Sequence, residues 1–240
     1  LKRDQNQDSI CFSYDHGLFV VADGMGGHQG GEIASQLACQ SILTSFEENP
    51  DQNPPEKMVE AIQNACASIY RKGQDNPELQ GMGTTVSAVV FEKETATIGH
   101  VGDSRVYLFD GPHAWQLSDD HSLIAERIRR GELTRKEAKN DKFRNVILRS
   151  VGFEASVEVD IYSHEIKSSQ VYLLCSDGLT GNLEDERLAK ILDLDSYNGL
   201  RDADKQNEYL HRKAKALVNA ANEEGGDDNI SVILVHAIPE

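Results

Sequence analysis

Apolar positions follow two rhythms along the chain. Short runs rich in Val, Ile and Leu at 18–22, 84–91, 96–101, 105–109, 157–162, 171–175 and 230–235 predict β-strands. Between them, apolar residues recur at helical spacing. Ala34, Leu37, Ala38, Ile42 and Phe46 form one such stripe, Met58, Ile62, Ala65, Cys66 and Ile69 a second, and Leu210, Ala214, Leu217 and Ala221 a third. The resulting order is a strand, two long helices, a block of strands, a polar helical stretch, more strands, helices and a last strand. That order departs from steady β-α-β alternation, so antiparallel sheets covered by helices are expected. Loop signals at 49–55 and 73–83 are too short to separate two domains, and one domain over 1–240 is expected, without internal repeats.

Composition narrows the function classes. With 240 residues and 39% hydrophobic content the chain can bury a substantial core, which excludes a disordered chain or a disulfide-stapled miniprotein. A net charge of −16 repels nucleic acids and anionic membranes. No apolar run is long enough to span a bilayer and no charged-then-apolar leader is visible. Cys11, Cys39, Cys66 and Cys175 lie far apart with no C-x-x-C pair, so a reducing, cytoplasmic setting is expected. The chain begins at Leu1 rather than Met, so residues are expected to precede it. One stretch differs in charge: 119–150 carries nine basic and six acidic residues, a net of +3, leaving −19 for the remainder. An inserted, partly helical flap is one reading, and a solvated helical hairpin with ordinary surface charge is the other.

Several signatures fail. There is no Gly-Lys-Ser/Thr, the Gly-rich run Gly24–Gln29 breaks the dinucleotide fingerprint at its last position, and no cysteine is followed six positions later by an Arg. The run Gly102-Asp103-Ser104-Arg105-Val106 approaches a nucleophile elbow but ends in Val106, so Ser104 is a weak nucleophile candidate. What remains is a set of aspartates placed where strands are predicted to stop: Asp23-Gly24, Asp103, Asp177-Gly178 and Asp228. A single Asp-Gly is most often a turn, but four such placements are harder to dismiss. Carboxylates gathered at one sheet edge repel one another unless cations neutralise them. The donors are oxygens, without paired His or Cys, which points to Mg²⁺ or Mn²⁺ rather than Zn²⁺. Two such ions form a recurrent phosphoryl-transfer device.

These residues, taken in order, resemble the metal-dependent serine/threonine protein phosphatases of the type 2C or PPM family, in its bacterial form. The resemblance rests on Arg3-Asp4-Gln5-Asn6-Gln7-Asp8, on Val21 to His28, on Gly83-Thr84-Thr85 and on Val101-Gly102-Asp103-Ser104-Arg105. It continues through Cys175-Ser176-Asp177-Gly178-Leu179 and Asp227-Asp228-Asn229-Ile230-Ser231-Val232, and so spans nearly the whole chain. Asp120-His121-Ser122 with Gly131-Glu132-Leu133-Thr134 resembles the bacterial flap. The resemblance implies an α+β fold of four layers (αββα), a central antiparallel β-sandwich flanked by helix pairs on both faces.

Position by position, it also implies roles. Asp23 would bridge two metals, the Gly24 carbonyl would bind one, and Asp177 and Asp228 would complete the first. Asp103 with Asp177 would offer a third, weaker site. Asp8 would be an outer carboxylate that orients metal-bound water, and Gln7 stands where animal members carry a metal-binding Glu. Arg3 falls at the phosphate-binding position. His28 would be a proton donor or a hydrogen-bonding loop residue. The implied activity is hydrolysis of phosphoserine and phosphothreonine on proteins, with phosphoprotein substrates that include a serine/threonine kinase or its targets. The alternatives are a catalytically inactive relative acting as a binding or regulatory module, and a serine esterase using Ser104. Chelation by EDTA separates them, because only the phosphatase would be silenced.

Overall fold

The structure, a computed structural model, describes residues 2–138 and 141–239, without the side chains of His28 and Lys136. The chain opens with β1 (Asp8–Ser13) and β2 (Leu18–Met25), followed by the long helices α1 (Gly27–Glu48) and α2 (Pro54–Asp75). A single 3₁₀ turn at Pro77–Leu79 leads to β3 (Gly83–Thr84), β4 (Val86–Glu92), β5 (Thr95–Val101), β6 (Arg105–Asp110) and β7 (His113–Gln116). Short helices α3 (Leu123–Arg129) and α4 (Arg135–Ala138) precede β8 (Asp160–Glu165) and β9 (Val171–Cys175). The chain closes with α5 (Asp177–Thr180), α6 (Asp185–Leu192), α7 (Leu194–Asn198), α8 (Ala203–Glu223) and β10 (Val232–Val235).

The strands form two antiparallel sheets, as expected. One has the order β1-β2-β4-β5-β8 with β3 beside β2, and the other has the order β10-β9-β6-β7. Alternation along the strands sorts side chains into three apolar layers. Leu18, Val20 and Ala22 of β2 face α1 and α2, whose Ala34, Ala38, Ile42, Met58, Ile62 and Ile69 are buried against them. Val21, Val106, Leu108, Tyr172 and Leu174 point the other way and fill the space between the sheets. Tyr107, Phe109, Leu173 and Cys175 pack against Leu179, Leu188, Leu210 and Leu217 of the C-terminal helices. Each such fully buried aliphatic side chain contributes roughly 1.5–3 kcal/mol. The four-layer arrangement follows, because each sheet has both faces apolar and needs a partner on each.

Helix ends follow local chemistry. Pro54 and Pro55 start α2, where a missing N–H costs nothing, and the Asp202 side chain caps α8 by accepting from Lys205 N at 3.0 Å. Among the described residues no helix is long and apolar enough to cross a membrane.

Some boundaries differ from the sequence reading. Strands β1 and β7 were not expected. β2 does not stop at Ala22 but runs through Asp23 and Gly24, since Gly24 and Met25 pair with Thr84 and Gly83. The strand expected at 157–162 begins only at Asp160. Upstream of it the Val157 carbonyl accepts from the side chain of Gln63 on α2, and Val157 N donates back to Gln63 Oε1 at 3.4 Å. A side-chain amide there occupies the backbone groups that a neighbouring strand would use.

The segment 119–150 holds α3 and α4 and is pinched at its base by an isolated bridge between Ser122 and Ile147. Three of its arginines are engaged within the segment, Arg127 with Asp141 at 2.7 Å, Arg130 with Glu126 at 2.7 Å and Arg129 with Glu126 at 3.0 Å, while Arg149 pairs outside it with Asp160 at 2.6 Å. Lys139 lies outside the described residues.

Candidate active site

Strand register decides which aspartates meet. The β1–β2 ladder sets Asp8 opposite Asp23. The β4–β5 ladder sets Val86 opposite Val101, so Thr85 and the turn that carries Asp103 emerge at the end of the sheet where Asp23 lies. In the second sheet Arg105 and Val232 both pair with Cys175, which brings Asp103, Asp177 and Asp228 to the corresponding end. Acidic residues up to 220 positions apart in sequence thus share one end of the sandwich. Asp177 does not simply follow its strand but opens the short helix α5, with Ser176 as the preceding cap residue.

Backbone and hydroxyl contacts hold these residues in place. Asp23 N donates to Thr85 Oγ1 at 2.9 Å, and the Asp23 carbonyl accepts from Thr85 N at 2.8 Å and Thr84 Oγ1 at 2.9 Å. Ser176 Oγ donates to Asp8 Oδ2 at 2.8 Å and accepts from Ser231 N at 2.9 Å, linking the two sheets. Asn229 accepts from Gln7 N at 2.9 Å and donates to the Gln5 carbonyl at 3.1 Å, tying the start of the described chain to the segment that leads into β10. Gly178 lies so close to this segment that a Cβ would meet the Asn229 carbonyl at 1.9 Å. Gly24 is pressed on Gly31 in the same way, its hypothetical Cβ 2.0 Å from the Gly31 carbonyl. Gln7 is committed to structure, its Nε2 donating to the Gly27 carbonyl at 2.9 Å.

The electrostatics of this end are unbalanced. Asp8 and Asp103 are each only 8% exposed. Asp8 Oδ1, Asp103 Oδ1 and Asp177 Oδ1 are buried with no hydrogen-bond partner among the described residues. Burial, followed by repulsion from Asp177 and Asp120, pushes the Asp103 carboxyl up to about 8. Burial and the charge of Asp228 raise Asp177 to about 6. Asp23 is held well above the usual carboxylate range by burial and by its repulsion from Asp8, Asp177, Asp103 and Asp228. It lies within hydrogen-bonding reach of both Asp8 and Asp177, and Asp8 is raised as well, chiefly by burial. Two cations are nearby: Arg3 reaches Asp228 Oδ2 at 2.7 Å, and Arg105, on the wall of the same cleft, partly offsets the rise at Asp103 and Asp177.

A buried acceptor without a donor is costly, and several at one point are what divalent cations relieve. The donor set is oxygen only, as Mg²⁺ and Mn²⁺ prefer. Among the described residues no three acidic, His or Cys side chains already close into a ligand cage. Mg²⁺ keeps several waters and takes one or two carboxylates, so an open arrangement of this kind suits it. The residues present therefore fit the ions.

Of the positions singled out in sequence, Arg3, Asp8, Asp23, Gly24, Asp103, Asp177 and Asp228 all gather here. Arg3, Asp103, Asp177 and Asp228 line a cleft of about 790 Å³ that continues to Ile124, Ile128 and Arg129 of α3. The backbone of His28 lies in the first turn of α1, and its side chain is outside the described residues. Ser104 is fully buried and hydrogen-bonded to Thr85 Oγ1 at 2.7 Å, which removes it as a nucleophile. Thr85, Ser176 and Asn229 carry no chemical signal of their own in the sequence motifs, and only contacts in space give them a role.

The model of the protein phosphatase 2C family matches residues 2–216. The chain belongs to the protein phosphatase 2C family. It is a serine/threonine protein phosphatase, and its α+β sandwich is the fold of the PPM enzymes. The serine/threonine phosphatase stp of Listeria innocua is 35% identical over 222 residues, covering 91% of this chain and 83% of that protein. The serine/threonine phosphatase of S. agalactiae superposes with a TM-score of 0.86 at 33% identity, covering 99% of this chain and 96% of that one. The catalytic domain of the serine/threonine protein phosphatase PstP, solved in complex with two manganese ions, superposes with a TM-score of 0.82 at 30% identity, covering 98% and 92%. A phosphatase of this family thus provides the frame for the aspartate cluster.

Proposed function

We propose that this phosphatase hydrolyses phosphoserine and phosphothreonine on proteins with a water activated between two divalent ions, and that residues 1–240 act as one catalytic domain with 119–150 as its flap. The observation that carries this reading is the trio of buried, unpartnered oxygens on Asp8, Asp103 and Asp177 at one end of the sandwich. Asp23, the Gly24 carbonyl, Asp177 and Asp228 would hold the ions, Mg²⁺ or Mn²⁺, and Asp103 with Asp177 would offer a third, weaker place. Ions bound there would supply a water of lowered pKa and positive charge against the phosphoryl oxygens.

The remaining work falls to the chain itself. Asp8, fixed through Oδ2 by Ser176, keeps its other oxygen without a hydrogen-bond partner among the described residues, and that oxygen would orient a water by accepting its hydrogen. Arg3 spends one terminal nitrogen on Asp228 and has further N–H donors for two oxygens of a phosphoryl group. Its charge, held on the cleft wall, offsets that which grows on those oxygens during in-line displacement. The departing serine or threonine oxygen takes a proton from His28 or from a water. The substrates would be phosphoproteins, among them a serine/threonine kinase or its targets.

The test is turnover of a phosphothreonine peptide under Mn²⁺ titration, with Asp177→Ala as the control. Activity should rise with Mn²⁺ to saturation, vanish with EDTA and be absent in Asp177→Ala. Undiminished turnover after chelation would overturn the reading.

A further inference from the structure

A buried histidine outside the proposed ion ligands joins two parts of the molecule. His121, 5% exposed, takes both backbone polar groups of Gly102, the residue before Asp103. Gly102 N donates to His121 Nδ1 at 3.1 Å, and His121 N donates to the Gly102 carbonyl at 2.7 Å. An amide can only donate, so Nδ1 is the bare ring nitrogen and the proton sits on Nε2. Nε2 faces Asp160 Oδ2 at 3.0 Å, and the other oxygen of Asp160 accepts from Arg149 at 2.6 Å. Arg149 stands at the return of the 119–150 segment, where Leu148 N donates to the His121 carbonyl at 2.7 Å. The segment's exit and its entry are thereby fastened at the same residue, through its carbonyl and, by way of Asp160, its ring.

Gly102 needs such fastening. At φ 111 it occupies a backbone region that L side chains rarely adopt, and a glycine left to itself samples many conformations. Asp103 follows it directly and has no hydrogen bond on its buried Oδ1. The position of its carboxylate therefore depends on how Gly102 is held.

We propose that His121 is a positioning residue for Asp103, its ring fixing the Gly102 amide while Asp160 and Arg149 fix the ring, so that the 119–150 segment and the Asp103 carboxylate keep one mutual arrangement. This rests on the reading of Asp103 as an ion-holding residue. The histidine acts by geometry, as second partners of metal ligands do, where their loss typically costs 10–100-fold in metal affinity or activity.

The experiment compares wild type with His121→Ala, His121→Asn, His121→Gln, Asp160→Asn and Asp103→Ala. It measures amide hydrogen exchange at Gly102 and Asp103, Mn²⁺ binding by calorimetry, and kcat and KM for a phosphothreonine peptide against Mn²⁺. In His121→Ala, exchange should quicken, the Mn²⁺ needed for half-maximal turnover should rise about 10-fold, and kcat should fall while the peptide KM stays near wild type. His121→Asn places an oxygen where Nδ1 was and should restore most of this, whereas His121→Gln, which mimics Nε2, should not. Asp160→Asn should move every quantity the same way by less, and it carries the test if His121→Ala does not fold. Wild-type exchange and Mn²⁺ dependence in a folded His121→Ala or, failing that, in Asp160→Asn would overturn the proposal, as would equal rescue by Gln and Asn. If Asp103→Ala keeps wild-type Mn²⁺ dependence, the ion-holding reading of Asp103 fails instead, and quickened exchange in His121→Ala still separates the two.

Discussion

Across the cleft, Arg127 meets Asp141 and Arg130 meets Glu126, both at 2.7 Å, while Asp8, Asp103 and Asp177 each keep a buried oxygen without a partner among the described residues. The first region is rich in charge and, despite its net of +3, pairs several of its arginines with acids at partly exposed positions, where ion pairs contribute little. The second is enclosed, and its carboxylates outnumber the guanidinium groups of Arg3 and Arg105 beside them. The difference teaches that abundance of charge says less about chemistry than charge left uncompensated under burial. The basic excess of 119–150 drew notice in the sequence, but its arginines mostly answer neighbouring acids, as in an ordinary solvated hairpin. The aspartates meet Arg3, Arg105 and a few hydrogen-bond donors, which still leave buried oxygens on Asp8, Asp103 and Asp177 without a partner among the described residues.

That comparison can be broken most forcefully at its acidic side. Asp23→Asn should lower phosphopeptide turnover by more than about 100-fold, the upper end of what losing an outer partner costs. Its melting temperature without metal should hold or rise, because one repelling carboxylate is gone. Activity rescued by excess Mn²⁺ would contradict this.

A second test uses pH. Unfolded, Asp103 and Asp177 titrate near 3.8, and folded without ions they titrate at about 8 and about 6. Between those limits the native state binds more protons than the unfolded one, so stability falls as pH rises, by up to about 1.4 kcal/mol per pH unit for each carboxyl. Urea unfolding in EDTA should therefore give a lower stability at pH 8 than at pH 5, and saturating Mn²⁺ should flatten or reverse the slope. A metal-free protein that gains stability over this range would show that the carboxylates are not repelling one another.

Smaller effects sharpen the paired side. Arg105 grips Asp120 through two nitrogens, the closest contact being 2.6 Å, and both side chains are mostly buried. Arg105→Leu leaves Asp120 with only the Gln116 amide as its side-chain partner among the described residues and should cost about 3–5 kcal/mol in urea unfolding. Arg130→Gln, at a 63% exposed side chain, should leave the melting temperature within measurement scatter.

Much of the frame was legible in sequence because burial writes itself as periodicity. The run Val171–Cys175 is buried at every position, and the stripe from Met58 to Ile69 faces the core throughout. β1 escaped notice because Ile10 and Phe12 of its sequence point outward, each half exposed, so its alternation is inverted relative to an ordinary strand. β7 is only four residues long and contains an exposed Trp115. The acidic members of the site were legible because Asp at a strand end is chemically conspicuous. Thr85, Ser176, Asn229 and His121 were not, since residues of these types are common everywhere and only register across the sheets shows what each one holds.

The bond from Arg3 to Asp228 and those from Asn229 to Gln5 and Gln7 join residues more than 220 positions apart. During synthesis the earliest of these residues leave the ribosome long before their counterparts exist. The pocket therefore closes only when the final strand has emerged and docked. A chain released before that strand can fold its first helices and sheet and still be catalytically silent, so activity waits on the docking of β10.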